Sequence, residues 1–140
     1  MERTEHYQLC LWEKDDPVLR TDFNENNEKL DAILAGQLQF AAGEYTGDGK
    51  AGKEHPNRIE FPFKPLLVVV NDPTSSNYGG MLWLRGASGG PSFHNSSTVT
   101  AVSLIWEDHA VSWYDSSGSL YIQLSKAGIT YTYFALGVLD

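Results

Sequence analysis

Val99-Thr100-Ala101-Val102-Ser103-Leu104-Ile105-Trp106, then Glu107-Asp108-His109, then Ala110-Val111-Ser112-Trp113-Tyr114 is the stretch that decides the fold. Two runs rich in β-branched and aromatic residues flank a short polar break, the signature of a β-hairpin. The first run is apolar on both faces, with Val102, Leu104 and Trp106 against Val99, Ala101 and Ile105. It therefore reads as a central strand or as one face of a subunit interface.

The same grammar extends outward. Residues 66–70 form an unbroken apolar run of strand length, which predicts a strand covered on both sides. Residues 57–63 alternate, with Ile59, Phe61 and Phe63 inward, and residues 37–45 precede them across a loop at 46–56. Further strands are expected at 81–85, at 120–124 after the Asp115-Ser116-Ser117-Gly118-Ser119 turn, and at 130–139. The last places Tyr131, Tyr133 and Ala135 on one face. About eight antiparallel strands at short spacing predict a mostly β chain built as a β-sandwich, with Trp83, Trp106 and Trp113 in its core.

Ahead of this lies a different region. Residues 6–12 alternate, with Tyr7, Leu9 and Leu11 on one face, before charge and Pro17 end the run. This extended segment is too short to bury itself and is expected to dock on something else. One short α-helix follows over residues 21–35, with Thr21 or Asp22 as N-cap, Glu25 as capping-box partner and Gly36 as C-cap. Its apolar stripe is Phe23, Leu30, Ile33 and Leu34. Either it packs across the β region, or Phe23, Leu30 and Ile33 form a short coiled-coil seam in which Asn26 fixes register. A helix of this length is marginal alone, so both readings give it a partner.

Composition narrows the function. The net charge is −8 and the ten basic residues form no cluster, so nucleic acid is a poor partner. Cys10 is the only cysteine, which excludes an intrachain disulfide and a cysteine zinc site. The first residues carry Glu2, Glu5 and His6 where a signal peptide needs an apolar run, and no stretch has the ~20 apolar residues of a membrane helix. The expectation is synthesis in a cytosol without a signal peptide, and no membrane insertion.

Catalytic and cofactor signals are weak. Gly47-Asp48-Gly49-Lys50-Ala51-Gly52 spells a dinucleotide fingerprint, but a strand follows it and Asp48 repels phosphate, so it reads as a turn and no cofactor is expected. His6, His55, His94 and His109 are scattered, and no metal site is expected short of histidines meeting on an oligomer axis. Glu60, Asp72 and Glu107 are carboxylates with nothing to select a catalytic pair, so the chain is not expected to be an enzyme. Two Gly-, Ser- and Asn-rich loops, residues 72–80 and 86–98, carry Tyr78, Phe93, His94 and Asn95, the residue palette of binding loops. The plainer reading is that Tyr78 and Phe93 pin their own loops.

Tyr7-Gln8-Leu9-Cys10-Leu11-Trp12 with Val18-Leu19-Arg20-Thr21-Asp22-Phe23-Asn24-Glu25-Asn26 resembles the attachment segment of small tail-fibre or receptor-binding proteins of phages and prophages of Gram-positive bacteria. Gly43-Glu44-Tyr45-Thr46-Gly47-Asp48-Gly49, the run from Ile59 to Val69 and the ending Gly128-Ile129-Thr130-Tyr131-Thr132-Tyr133-Phe134-Ala135-Leu136-Gly137 are similar to their β heads. The resemblance implies a homotrimer located in the virion tail. Residues 1–36 would attach to tail or baseplate proteins and carry a trimerising helix. Residues 37–140 would form the head that binds a host cell-surface polysaccharide or other receptor. A purely structural virion protein, a free-standing lectin-like module and a cell-wall hydrolase are the alternatives.

Overall fold

The computed structural model describes residues 1–74, 79–93 and 99–140, and the side chains of residues 92, 93, 99 and 100 are not described. The described residues form two compact units, Met1–Gln37 and Leu38–Asp140.

In the first unit, β1 (Glu2–Arg3) and β2 (Cys10–Leu11) pair as a two-residue antiparallel ribbon. The predicted continuous strand over residues 6–12 is thus replaced by a chain folded back on itself. Gln8 sits at φ 57° and its side chain donates to the carbonyls of Thr4 and Glu5, which closes the turn. Helix α1 spans Arg20–Ala35, and its start corrects the expected cap. Leu19 occupies the N-cap position without a side-chain bond, and Glu25 closes no capping box. The Glu25 carboxylate is drawn instead to Arg3 (2.8 Å) and Lys29 (2.6 Å). Gly36 ends the helix in an αR conformation, its N–H reaching the Ala32 carbonyl.

The second unit is a mostly β structure with one antiparallel ladder of eight strands among the described residues. These are β3 (Gln39–Thr46), β4 (Asn57–Glu60), β5 (Lys64–Asn71), β6 (Gly80–Leu84), β7 (Gly89–Phe93), β8 (Val99–Glu107), β9 (Ala110–Tyr114) and β10 (Thr130–Val138). They are ordered β3-β10-β5-β6-β7-β8-β9-β4. Two elements differ from expectation. Residues 120–124 are not a strand: Leu120–Gln123 is a one-turn helix, α2, capped by the Ser119 hydroxyl on the Ile122 N–H. A strand, β7, lies instead inside the Gly/Ser-rich stretch read as a loop. Gly90 explains it, since a Cβ there would lie 2.0 Å from Trp83 Cδ1 and only glycine lets β7 cross that indole.

Side chains that alternate inward make the core. Trp83 and Trp113 meet at 5.1 Å between ring centroids, Tyr45 lies 5.8 Å from Trp113, and Phe61 meets Tyr133 edge-on at 6.0 Å. Tyr45 stands on β3 and Trp113 on β9, so the ladder curls until its two ends face each other. Each fully buried aromatic or aliphatic side chain contributes on the order of 1.5–3 kcal/mol of transfer free energy. The indole N–H groups of Trp106 and Trp113 donate to the carbonyls of Ala87 and Gln123.

The outward surfaces of the two halves of the ladder differ. On β3, β10, β5 and β6 the cross-strand register aligns Phe40, Leu136, Leu67 and Leu84 in one row. Ala42, Phe134, Val69 and Leu82 form the next. Strand β5, expected to be covered on both sides, is therefore covered on one: Val68 and Val70 are buried, Leu67 and Val69 half-buried. On β9 and β4 the outer surface is polar, with Arg58 opposite Ser112 and reaching Glu107 at 2.9 Å.

Candidate functional site

The sheet order places four connections at one end of the ladder: residues 47–56 after β3, 72–79 after β5, 94–98 after β7 and 115–129 after β9. These are the long ones, whereas β8 and β9 join at the opposite end through Asp108 and His109 alone.

A buried glutamine ties two of the loops together. The Gln123 Oε1 accepts from the Gly52 N–H (2.9 Å) and the Asp115 N–H (2.9 Å), while its Nε2 donates to the His55 carbonyl (2.8 Å). Its own carbonyl accepts from Trp113 Nε1 (2.8 Å) and Asn57 Nδ2 (3.1 Å). Gln123 has no exposed surface, so every polar atom it carries depends on these partners. Ser125 adds a bond from its hydroxyl to the Lys50 carbonyl (2.6 Å), and the Gly47 and Gly49 N–H groups reach the Ile129 and Ser125 carbonyls. The glycine run at 47–52 is therefore a turn between two strands, with Gly49 and Gly52 at positive φ and Asp48 capping the Lys50 N–H. No helix follows to hold a phosphate.

The tyrosines beneath the loops are held as neutral donors or acceptors. Tyr45 donates to the Leu124 carbonyl (2.8 Å), and burial pushes its hydroxyl far above the usual phenol range. The Tyr131 hydroxyl accepts from the Lys126 N–H (3.0 Å) and is likewise raised by burial.

At the neck of the 72–79 connection, Asp72 is buried and accepts from the Thr74 N–H and hydroxyl, while its own N–H reaches the Gly79 carbonyl. Lys126 Nζ lies 3.6 Å from the Asp72 carboxylate and 4.7 Å from the Tyr121 ring centroid. Tyr121, 64% exposed on α2, is the large aromatic that the described residues of this end present to solvent. Sequence reasoning missed it, because Leu120, Ile122 and Leu124 alternate with Tyr121 and Gln123 as a strand would.

Of the residues expected to touch a ligand, Tyr78, His94 and Asn95 lie outside the described residues. Phe93 ends β7, its backbone paired with Gly80 and Val99. Of the expected coiled-coil set, Phe23 is exposed and stacked on Trp12 at 5.0 Å, Leu30 is exposed and Ile33 half-buried. The Asn26 Oδ1 accepts from the Cys10 N–H (2.8 Å), so it fixes the ribbon to the helix within its own unit.

Two other clusters carry charge. Cys10, Asp22 and Glu25 bring their ligand atoms within 4.8 Å of one another, but the Arg3 guanidinium lies 3.1 Å from Cys10 Sγ and supplies the positive charge there. At the opposite end of the ladder, Arg58, Glu60, Phe61, Glu107, Asp108 and His109 line a groove of about 450 Å³. Within it Arg58 pairs with Glu60 and Glu107, and the His109 Nε2 lies 2.9 Å from the Asp140 carboxylate.

Comparison with protein-family models, with curated proteins and with solved structures finds no match for this chain.

Proposed function

We propose that the chain is a non-enzymatic component of a phage or prophage tail. It attaches to tail or baseplate proteins through Met1–Gln37 and binds a host-surface glycan through the loop end of Leu38–Asp140. In this reading it works as a homotrimer in the virion. The ladder is a two-layer sandwich, with β3-β10-β5-β6 over β7-β8-β9-β4 and the corner at β6–β7, where only two residue pairs join the strands.

The observation that carries the reading is the loop end itself: the connections 47–56 and 115–129 meet there and are tied together by the buried Gln123 bonds. A preorganised loop platform lowers the ordering cost of binding, and several copies acting together multiply weak single-site affinity. Absence of enzymatic chemistry draws support from the carboxylates, since Glu60 and Glu107 are paired with Arg58 and Asp72 with Thr74 and Lys126.

The test is adsorption of particles carrying Tyr78→Ala with Phe93→Ala, and separately Tyr121→Ala, together with a glycan array on the purified chain. The reading expects adsorption to fall by roughly tenfold or more in intact particles. Unchanged adsorption by both variants, with no glycan bound by the purified chain, makes the protein a purely structural virion component.

A further inference from the structure

We propose that the outward face of β3, β10, β5 and β6 is the surface through which copies of this chain associate. The inference rests on the self-association in the reading above. It assigns that association chiefly to the sheet and not to the apolar stripe of α1.

The face is apolar over its full width. Four strands at a spacing of about 4.8 Å span roughly 14 Å between the outer backbones, and each of two successive cross-strand rows holds four apolar residues without a charge. The next row, Glu44, Thr132, Asn71 and Gly80, is polar and bounds the patch. Exposure is high: 65% for Phe40, 65% for Leu84, 49% for Leu82 and 37% for Phe134. Phe40 and Phe134 touch across the strands at 6.0 Å, so the patch is continuous. A large side chain offers on the order of 150–200 Å², so these residues and their half-buried neighbours expose on the order of 500 Å².

That area sits at the upper end of what a monomer leaves bare, ~300–600 Å². With a polar rim it approaches the ~800 Å² per partner of a standard interface.

The chemistry favours another copy as the occupant. Apolar sheet faces pack by interdigitating their side chains, and three copies arranged about a common axis each bring a face of equal width and composition. A sugar needs hydrogen-bond donors and acceptors, which the two rows do not have. Each chain carries a net charge of −8, so copies repel at most surfaces and approach best over an uncharged one. The outer surface of β9 and β4, crossed by Arg58, Glu60 and Glu107, is unsuited to that contact.

The experiment is light scattering coupled to gel filtration on the full-length chain. It uses Phe40→Lys with Leu84→Lys on the apolar face, and Ile105→Lys, 50% exposed on β8, as a matched control. The wild type and control are expected at a multiple of 15.6 kDa, the double variant at 15.6 kDa with unchanged far-UV circular dichroism. Should the double variant not fold, Leu84→Ser is measured by sedimentation, where the dissociation constant is expected to rise at least ~10-fold.

A folded double variant that keeps the wild-type mass, or Leu84→Ser with an unchanged constant, overturns the face while leaving self-association through α1 standing. A wild type that remains monomeric at ~100 µM overturns both, and gives the face to a different partner.

Discussion

Replacing Gln123 by Met removes the hydrogen bonds while keeping an unbranched side chain of similar volume. Three backbone groups lose their partner: the N–H groups of Gly52 and Asp115 and the carbonyl of His55. Asp115 is buried, so its N–H bears most of the desolvation cost of an orphaned donor, ~2–3 kcal/mol. Gly52 is half-buried and His55 exposed, so water replaces part of their loss, leaving ~0.5–1 kcal/mol each. The bonds made by the Gln123 carbonyl are unaffected. The sum is about 4 kcal/mol, a large share of the 5–15 kcal/mol that a domain of this size has in total, and corresponds to a fall in Tm of ~15 °C. Urea denaturation followed by fluorescence of Trp83, Trp106 and Trp113 measures the first figure. Amide exchange at Asp115 reads the lost bond directly. A stability loss below ~1 kcal/mol with Asp115 still protected would refute the reasoning, because it would mean that the loops are held without Gln123.

Gly90→Ala forces the indole of Trp83 to move and should cost ~1–3 kcal/mol in the same urea assay; a neutral outcome would show that β7 can shift without loss. Glu25, drawn down to about 2 chiefly by its bond to Lys29 and then by Arg3, has a folded value below the ordinary 4.5. Its contribution to the first unit is therefore complete above pH 4.5 and disappears as pH falls from 4.5 through 2. Glu25→Gln should flatten that acid response, as read from the near-UV circular dichroism of Trp12 stacked on Phe23. Tyr45→Phe removes the bond to the Leu124 carbonyl and should lower stability by ~1 kcal/mol without altering the far-UV spectrum.

What the sequence displays is periodicity, and periodicity is local. The hairpin of β8 and β9 is legible because alternation on both sides of a polar break encodes strands and turn together. Strand β7 is illegible because Gly89, Gly90 and Pro91 carry no strand preference; the strand exists because Trp83 needs a bare backbone beside it. Helix α2 is too short for a 3.6-residue period to emerge, and its alternation imitates a strand. The start of α1 depends on Arg3 drawing Glu25 away from a cap, a contact between residues far apart in sequence. At the loop end, the Gly-, Ser- and Asn-rich composition of residues 72–80 and 86–98 is legible in the sequence. The role of Gln123 is not, because a buried amide looks like any polar residue until its partners are in place.

The order of the ladder also has a consequence in time. Strands β3 and β4 follow each other in the chain but stand at its two extremes, and β3 finds its hydrogen-bonding partner in β10, where Ala42 meets Phe134. Pairings so distant in sequence form late, because chain entropy is lost before any contact repays it. During synthesis β3 therefore emerges with both edges open and waits for every intervening strand. Meanwhile Phe40, on the same strand, is bare to other nascent chains. The property that would bring finished copies together is thus a hazard among unfinished ones, and slower translation or a chaperone should raise the yield of folded protein.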